Sequence, residues 1–466
     1  MIKNICCIGA GYVGGPTMAV IADNCPNIQV NVVDNNILRI KQWNTKDFSK
    51  LPIYEPGLGE IVKRCRGKNL HFSNDLEHNI QRADIVFISV NTPTKKYGFG
   101  AGKASNLKYV EECARQVAKF AEGHTIVVEK STLPVRTAEA IKSILEASQN
   151  KNLSTFDVLS NPEFLAEGSA INDLINPERV LIGGDNIDSI SILNEIYSQW
   201  VPKNKILNTN IWSSELAKLT ANAFLAQRIS SINSIGAICE ATGADIREVS
   251  RAIGSDSRIG SKFLDAGPGF GGSCFKKDIL NLVYLAEYYG LKEVADFWNS
   301  VVLVNNWHQQ RISKLITKKL FGSLSNKKII MLGFAFKANT NDTRESAAIG
   351  ISKDLLAEGA FLHIHDPKVN PDQIANDLGI PQNEANNKEI FSEEGRWYFV
   401  KDIYEAVKGA DAILVITEWE IYSKIDWLKV SKLMRKPSWV FDSRSILIPE
   451  KVKESGLNFW RIGDGS

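Results

Sequence analysis

The sequence predicts an α/β protein with two Rossmann-like doubly wound domains joined by a central domain of long helices. Strand-like runs alternate with helical stretches in the first part of the chain, the same alternation returns in the last part, and two long helical stretches lie between them. At 466 residues the chain is too long for one ordinary core. We predict domains over residues 1–212, 213–322 and 323–466.

The two outer parts match strand by strand. KNICCIG corresponds to KKIIMLG, VNVVD to LHIHD, ADIVFIS to ADAILVI, and IVVEKS to WVFDSR. Chance similarity is an open alternative, because buried parallel strands share an apolar composition. The predicted strands are Asn4–Ile8, Gln29–Asp34, Ile85–Val90, Ile126–Glu129, Val158–Ser160 and Val180–Gly183, then Lys328–Gly333, Phe361–Asp366, Ala412–Thr417 and Trp439–Asp442.

The middle of the chain has the period of helices. Ile211–Ile235 contains no Gly or Pro, and a second uninterrupted stretch, Leu291–Phe321, ends at Gly322. Helices of this length carry more apolar surface than one chain covers easily, so we expect a homo-oligomer, either a dimer or a hexamer built from dimers. The alternative is that they only bridge the domains. The apolar face of the first helix consists of Leu216, Leu219, Ala223 and Ala226.

Composition narrows the class of partner. The formal charge of +2 and the lack of a long basic block give nucleic-acid or membrane-surface binding no electrostatic support. No run is apolar and long enough to span a bilayer, and no signal sequence precedes Ile5–Ile8. Seven irregularly spaced cysteines without a CxxC pair argue against disulfides and a zinc site. We therefore expect a cytoplasmic protein with a small-molecule partner and no metal.

A dinucleotide fingerprint opens the chain. GAGYVG follows a predicted strand and begins a helix, so Gly9 permits the tight turn, Gly11 admits a pyrophosphate and Gly14 lets the helix pack closely. Asp34 closes the second strand 20 positions after Gly14. Its carboxylate suits ribose hydroxyls and repels a 2′-phosphate, which favours NAD over NADP. The alternative is that Asp34 is only a turn residue.

The matching turn of the second half lacks this pattern. It contains Gly333, Phe336 and Lys337 in the sequence GFAFK. The bulky Phe336 and the missing glycines argue against a second dinucleotide, whereas Lys337 suits a phosphate as a point charge.

A glycine-rich segment ends at the last cysteine. Gly267, Gly269, Gly271 and Gly272 precede Cys274, and this density suggests a backbone close to a ligand. The residues after Cys274 look helical, and two lysines follow it. Both features favour a nucleophilic thiolate, and Asp278 shares a helix face with the cysteine. A buried, inert cysteine is an equally open interpretation of the residue alone.

Two further pairs suggest chemistry. Lys218 and Asn222 are four positions apart on the first long helix, so both can donate to an oxygen that gains negative charge, although a solvated helix face is the commoner meaning of such a pair. Glu163 and Glu167 in NPEFLAEG follow a strand end, where open α/β sheets bind ligands. Alternatively, either residue is a helix-start residue that balances the dipole.

Taken together, these motifs resemble the UDP-glucose/GDP-mannose dehydrogenase family. GAGYVG, NTPT, EKST, NPEFLAEG, ELAKLTANAFLA and GFGGSCFKKD occur in the family's order, and GFAFK, DTRES and Asp442–Arg444 extend the resemblance over the whole chain. ICCIGAGYVGGPT and AQRISSINSI look most like animal-type members. The resemblance implies UDP-glucose as substrate, NAD as cofactor and UDP-glucuronate as product.

The resemblance also implies a role for each motif residue. Cys274 is the nucleophile, Lys218 and Asn222 stabilise oxyanions, Glu163 is the acid/base residue, and Asp278 and Thr132 handle the hydrolytic water. The implied NAD contacts are Gly9, Gly11, Tyr12, Val13, Gly14, Asp34, Arg39, Val90, Asn91, Thr92, Ser131, Thr132, Glu167 and Arg344. The implied substrate contacts are Glu163, Phe164, Leu165, Glu167, Lys218, Asn222, Arg258, Phe263, Gly269, Phe270, Gly271, Phe336, Lys337 and Arg444, with Arg258 reaching a neighbouring subunit.

Two positions depart from the family's pattern. Asp265 stands where animal forms carry a basic residue, and Lys276 stands where many bacterial forms have proline. The first concerns loop contacts or regulation rather than the reaction.

The implied reaction is a four-electron oxidation through a thiohemiacetal and a thioester on Cys274. A related dehydrogenase of GDP-mannose or a UDP-N-acetylhexosamine is the closest alternative, because only the C-terminal pocket differs. A two-electron hydroxyacid dehydrogenase and a non-enzymatic binding module are more distant alternatives, since neither needs a nucleophilic cysteine.

Overall fold

A computed structural model describes residues 2–147, 154–383 and 395–465. The chain divides into two compact units, one of Met1–Ala221 with Leu280–Ala295 and one of Asn222–Ile279 with Asp296–Ser466. Both contain a parallel sheet, and long helices lie in the middle of the sequence. This confirms the α/β class with two Rossmann-like sheets and a helical central segment.

The first unit contains an eight-stranded sheet in the order β3-β2-β1-β4-β5-β6-β7-β8. Neighbouring strands are parallel except β6 and β7, which meet antiparallel at Ser160 and Gly183. The strands are β1 (Asn4–Ile8), β2 (Gln29–Val33), β3 (Leu70–Ser73), β4 (Ile85–Ile88), β5 (His124–Glu129), β6 (Thr155–Ser160), β7 (Val180–Gly183) and β8 (Ile206–Thr209).

Helices cover both faces of this sheet. Ile5 and Cys7 of β1 belong to one apolar cluster, and Cys6 and Ile8 belong to another, so alternate side chains of a single strand enter two cores. The helices are α1 (Gly14–Asn24), α2 (Ile37–Trp43), α3 (Leu58–Cys65), α4 (Leu76–Gln81), α5 (Lys108–Phe120), α6 (Thr137–Ala147), α7 (Ala170–Ile175) and α8 (Ile187–Tyr197), with short 3₁₀ turns at Phe48–Lys50 and Lys203–Lys205.

Four helices form the middle of the chain. They are α9 (Ile211–Thr242), α10 (Ile246–Gly254), α11 (Phe275–Tyr288) and α12 (Lys292–Lys319). The two long stretches that the sequence predicted are α9 and α12. On α9, Leu219, Ala223 and Ala226 are buried, but Leu216 is exposed, so the buried face is narrower than the apolar spacing indicated.

The second unit contains a fully parallel sheet in the order β11-β10-β9-β12-β13-β14. The strands are β9 (Lys328–Leu332), β10 (Phe361–His365), β11 (Arg396–Phe399), β12 (Ala412–Val415), β13 (Trp439–Asp442) and β14 (Asn458–Arg461). The helices are α13 (Ala347–Ala357), α14 (Pro371–Leu378), α15 (Ile403–Ala406), α16 (Glu420–Ser423), α17 (Trp427–Leu433) and α18 (Pro449–Glu454).

The strand-by-strand match between the two parts is confirmed. β1 and β9 are flanked on one side by β2 and β10, and on the other by β4 with β5 and β12 with β13. The sequence prediction omitted four strands, namely β3, β8, β11 and β14. These are short, and β8, β11 and β14 each contain side chains that are not buried, so their apolar signal is weak.

No helix within the described residues has both the length and the apolar character needed to cross a membrane.

Candidate active site

The turn between β1 and α1 has the conformation that a dinucleotide requires. Gly9 has a φ of +113°, and a Cβ added there would lie 2.1 Å from the Ser89 carbonyl oxygen. A Cβ on Gly14 would lie 2.0 Å from the Gly9 carbonyl oxygen. At Gly11 nothing lies within 4 Å of an added Cβ, so this backbone is open to a ligand. The N-terminus of α1 comes directly after the turn, and this arrangement fits a pyrophosphate.

Asp34 directly follows β2 and is bound to this turn. Its Oδ2 accepts hydrogen bonds from the Ala10 amide at 2.9 Å and from Arg39 Nη1 at 3.1 Å, and its Oδ1 accepts from the Asn36 amide at 2.8 Å. The structure thus brings Asp34 and Arg39 together, while Tyr12 and Val13 lie in the turn itself. Asp34 therefore anchors the turn through these hydrogen bonds.

Two loops at the carboxyl ends of β4 and β5 are joined by hydrogen bonds. Ser131 Oγ donates to the Val90 carbonyl at 2.7 Å, and Thr92 Oγ1 donates to the Thr132 carbonyl at 3.1 Å. Asn91 is exposed on the same loop. Five predicted cofactor residues therefore lie on two joined loops at the edge of the sheet where α/β proteins bind ligands.

Glu163 lies in the loop after β6 and is surrounded by donors. Its Oε1 accepts from the amides of Phe164 at 2.8 Å and Leu165 at 3.0 Å, and its Oε2 lies 2.9 Å from Lys130 Nζ. Burial would raise the pKa of Glu163, but the adjacent Lys130, Lys218 and amide dipoles outweigh it and lower that pKa. Because α7 begins only at Ala170, Glu163 is not a helix-start residue.

Lys218 is buried on α9 rather than solvated. Its side chain lies over the Phe164 ring, with Nζ 5.2 Å from the ring centroid, and Arg179 lies 4.0 Å from the same centroid. Lys218 and Asn222 are only 6% and 5% exposed, so the interpretation of this pair as a solvated helix face is wrong. The Lys218 ammonium is also among the charges that lower the pKa of Glu163.

In the second unit, Asn222 is hydrogen-bonded to a residue of the cysteine helix. Its Nδ2 donates to Asp278 Oδ2 at 2.6 Å, and both side chains are buried. The Asp278 amide donates to the Cys274 carbonyl at 2.8 Å, which is the bond of one helical turn. Cys274 and Asp278 therefore lie one above the other on the same face, as their spacing predicted.

Cys274 immediately precedes α11, and its Sγ lies 3.4 Å from Ser273 Oγ. The helix N-terminus is therefore where the sequence placed it. The neighbouring lysines are engaged elsewhere, since Lys276 Nζ lies 2.8 Å from Glu345 Oε2 and Lys277 Nζ lies 3.8 Å from Asp278 Oδ1. Both lysines therefore lie near carboxylates, and the thiol lies at the N-terminus of α11.

Exposure distinguishes Cys274 from the other cysteines. All seven are free, six are buried, and Cys274 alone among the seven is partly exposed. Burial raises the pKa of Cys25 and Cys65 to about 11 and that of Cys113 to about 12. Those thiols are therefore protonated at neutral pH. The buried environment of the inert interpretation fits them, whereas Cys274 is partly exposed.

The glycine loop before Cys274 packs against its own protein. A Cβ on Gly269 would lie 2.7 Å from Asn305 Oδ1, one on Gly271 would lie 2.5 Å from the Glu345 carbonyl oxygen, and one on Gly272 would lie 3.1 Å from the Phe336 ring. The expectation that these glycines let the backbone lie close to a ligand is therefore incomplete. Here they also permit close packing within the chain.

The predicted substrate residues Phe336, Lys337 and Arg444 lie near this loop in the second unit. Arg444 Nη2 donates to the Phe336 carbonyl at 2.7 Å, and Arg444 Nε lies 3.0 Å from Glu418 Oε2. Lys337 Nζ lies 5.6 Å from the Phe336 ring centroid. Phe270 is buried, and its backbone is bonded to Asn305.

Three predicted residues have other surroundings. Arg258 is 87% exposed at its side chain and pairs with Asp256, while Phe263 is exposed with a φ of +61°. Arg344 pairs with Asp342 at 2.6 Å. Arg258 and Phe263 thus have exposed side chains, whereas the Arg344 carbonyl accepts from the Gly272 amide of the glycine loop at 2.8 Å.

The sequence prediction missed the residues that hold these clusters in place. Asn161 and Tyr197 contact Lys130 beside Glu163, and Asn305 and His308 bind the backbone of the glycine loop. Lys130 had a usable signal, because a charged residue directly after a buried parallel strand is rarely left without a partner. The other four had none, since they lie on different elements from the residues they contact.

Family models match almost the whole chain. The NAD-binding domain model of the UDP-glucose/GDP-mannose dehydrogenase family matches residues 3–201, the central domain model matches 212–307, and the UDP-binding domain model matches 330–449. The chain belongs to the UDP-glucose/GDP-mannose dehydrogenase family. It is therefore an oxidoreductase that uses NAD, as the first-strand fingerprint predicted.

Individual relatives agree with this family. The chain is 56% identical to UDP-glucose 6-dehydrogenase from Gallus gallus, with 99% of this chain and 93% of that protein covered, and 53% identical to the enzyme of the same name from Drosophila melanogaster, with 98% and 96% covered. Among solved structures, a UDP-glucose dehydrogenase from Pyrobaculum islandicum has a TM-score of 0.85 at 29% identity and covers 100% of this chain and 98% of its own.

Proposed function

We propose that this family member oxidises the primary alcohol of UDP-glucose twice, in a four-electron reaction that yields UDP-glucuronate through a thioester on Cys274. The partly exposed thiol at the N-terminus of α11 carries this proposal, since the other cysteines are buried. The relatives named UDP-glucose 6-dehydrogenase, which are more than half identical to this chain, support the choice of sugar. GDP-mannose and UDP-N-acetylhexosamines are the competing substrates.

When bound, NAD would supply the hydride acceptor for C6 of the sugar in both oxidations. The residues that would hold it are the glycine turn, Asp34, Arg39 and the loops after β4 and β5. In the first oxidation the alcohol proton passes to the Glu163 carboxylate as the C6–H bond breaks. The product is an aldehyde, which the Cys274 thiolate attacks to form a C–S bond.

The carbonyl oxygen gains negative charge in that attack. Lys218 and Asn222 are the groups that we assign to stabilise this oxyanion. Protonation gives a thiohemiacetal, and its oxidation leaves a thioester. Water then adds to the thioester carbon with Glu163, Asp278 and Thr132 as the polar residues that handle its protons, and the C–S bond breaks to release the acid and the thiolate.

The domain roles follow from the same assignment. We place NAD binding in residues 1–212, the cysteine loop and subunit contacts in 213–322, and UDP-sugar binding in 323–466. Arg258, Phe263, Phe336, Lys337 and Arg444 are the proposed UDP-sugar contacts of the last two segments. The free cysteines are consistent with a reducing cytoplasmic compartment.

Exposed apolar side chains support a homo-oligomer, either a dimer or a hexamer built from dimers. Trp212, Phe224 and Ile238 on α9 and Leu303 and Trp307 on α12 are all about half exposed or more in the single chain. Light scattering at assay concentration should give at least twice the monomer mass. A fully active monomer would contradict the assignment of these helices to a subunit interface.

The experiment that tests the reaction counts NADH. Two NADH per UDP-glucose are expected, and the same count across GDP-mannose and UDP-N-acetylhexosamines identifies the substrate. One NADH per sugar, with a stable aldehyde or keto-sugar as product, contradicts the thioester mechanism.

Cys274→Ser tests the nucleophile. Turnover should fall by roughly 10³-fold or more, because a hydroxyl stays protonated at neutral pH, while NAD binding persists. Cys25→Ser is the matched control, since Cys25 is also a free cysteine and has no part in the proposed reaction. Near-normal UDP-glucuronate formation by Cys274→Ser rules out covalent catalysis at this residue.

A further inference from the structure

Lys130 is a buried cation with a complete set of acceptors. Its side chain is 3% exposed, and Nζ lies 2.9 Å from Glu163 Oε2, 3.1 Å from Asn161 Oδ1 and 3.3 Å from Tyr197 Oη. An ammonium group has three N–H bonds, so each one has an acceptor. Such a group is stable in the interior only because it is paired in this way.

The acceptors are themselves anchored to neighbouring elements. Tyr197 Oη donates to Asn161 Oδ1 at 2.6 Å, and Asn161 Nδ2 donates to the Leu181 carbonyl on β7 at 2.8 Å. The Lys130 amide donates to the Ile88 carbonyl on β4 at 2.9 Å. Lys130 is therefore held by strands on both sides and has little freedom to leave Glu163.

The carboxylate of Glu163 meets donors at both oxygens. Oε1 accepts two loop amides, and Oε2 meets Lys130 and, at 3.5 Å, Thr17 Oγ1. The charged and titratable groups that face it are Lys130, Lys218 and, through Lys130, Tyr197. A protonated carboxyl would place a proton against a donor, so this environment fits the anion.

We infer that Lys130 is a positioning residue that holds Glu163 as an ionised carboxylate in a single orientation, so that Glu163 enters the reaction as a proton acceptor and not as an acid. This inference rests on the proposed role of Glu163 in proton transfer. The two buried lysines then have different roles. Lys130 keeps the Glu163 carboxylate ionised, while Lys218 is the group assigned to the reacting oxygen. Neither the family motifs nor the fingerprint assigned a role to Lys130.

Lys130→Met is the decisive variant, because it keeps a long apolar side chain and removes the charge. The acidic limb of the kcat profile should move to higher pH by about 1–2 units, since burial then dominates at Glu163. Lys130→Arg retains a cation and should leave that limb in place even if kcat falls. An unmoved limb in Lys130→Met overturns the inference.

A readout without turnover separates this inference from the proposed reaction. Unfolding by urea is compared at pH 5 and pH 8 for the unmodified protein, Lys130→Met, Glu163→Gln and the double variant. In Lys130→Met the pKa of Glu163 in the folded state should lie above its unfolded value, so stability is lost as the pH rises between the two values. The deficit of Lys130→Met should therefore grow toward pH 8 and vanish when Glu163→Gln is also present.

Each outcome decides the question. If Lys130→Met fails to fold but the double variant folds, the unpaired Glu163 charge is the cause and the inference stands. If both fail alike, or if the deficit is the same at the two pH values, Lys130 acts through packing and the inference is overturned. Absence of NADH from UDP-glucose in the unmodified protein would overturn the proposed function and leave this stability cycle unaffected.

Discussion

The two sheets have the same kind of turn after their central strand, but the segments that follow the turn differ. In both, a glycine with positive φ comes directly after the central strand, Gly9 at +113° after β1 and Gly333 at +100° after β9. In both, an aspartate after the second strand accepts from the backbone of that turn. Asp34 accepts from the Ala10 amide, and Asp366 accepts from the Phe334 and Ala335 amides. The framework of the turn is therefore shared.

The segments after the two turns differ. α1 begins at Gly14, so a helix N-terminus faces the first turn directly, whereas α13 begins only at Ala347. In the second sheet Phe334 and Ala335 are buried, and Thr417 Oγ1 donates to the Ala335 carbonyl at 2.6 Å. The second turn thus has neither the open glycine nor the adjacent helix N-terminus of the first. Strand order is not enough for a dinucleotide site, because the open glycine and the adjacent helix N-terminus supply the phosphate contacts.

The largest expected effect comes from Gly14→Ala. Its Cβ would lie 2.0 Å from the Gly9 carbonyl oxygen, so the turn must open and the affinity for NAD should fall by roughly 100-fold or more, about 3 kcal/mol. NAD titration by calorimetry measures this. Gly333→Ala is the matched variant in the other sheet, where a Cβ would lie 2.3 Å from the Thr417 side chain. It should lower stability and leave NAD affinity unchanged; an equal loss of NAD affinity would remove the distinction between the turns.

The two units should also differ in how their stability changes with acid. Burial lowers the pKa of His308, on α12, to about 4, whereas an unfolded histidine titrates near 6.5. Between these values the unfolded chain binds more protons, so stability is complete above about 6.5 and falls as the pH drops toward 4, by roughly 3 kcal/mol at most. His363 and His365, on β10, have pKa values that burial lowers as well.

The first unit contains a pair of carboxyl groups whose effect on stability has the opposite pH dependence. Burial raises the pKa of Glu129 and of its neighbour Glu215, so their contribution to stability is present at low pH and is lost as the pH rises through the raised values. Hydrogen exchange resolved by peptide between pH 4 and 7 should show the second unit losing protection first on acidification. Uniform loss in both units would contradict this difference.

The smallest expected effects come from the two aspartates. Asp34→Ala should weaken NAD binding about tenfold and relax the rejection of NADP, because Arg39 then loses its carboxylate partner and can meet a 2′-phosphate. Asp366 accepts from four backbone amides and from Trp419 Nε1. Asp366→Ala should therefore cost about 1–3 kcal/mol of unfolding free energy without changing NAD affinity, as chemical denaturation and NAD titration would show. Unchanged cofactor choice in Asp34→Ala would leave that residue only its role in the turn.

The sequence by itself determined the features that depend on neighbouring residues. Runs of apolar residues identified the inner strands of both sheets, the glycine spacing placed the turn before α1, and Cys274 was correctly placed before a helix. These features arise from backbone conformation and local period, which a short window contains. The outer strands were missed because a strand at the edge of a sheet has a neighbouring strand on one side only, and such a strand needs few apolar residues.

Only the tertiary structure decided which distant residues share an environment. Lys130 and Glu163 are separated by the whole of α6 and β6, and Asn222 and Asp278 lie on different helices, yet each pair is in contact. The burial of Lys218 and Asn222, and the packing of Gly271 and Gly272 against Glu345 and Phe336, arise in the same way. The path of the chain through the fold decides which of these residues meet, and no local sequence pattern encodes that path. Burial and the local dielectric then set the charge state of each polar group.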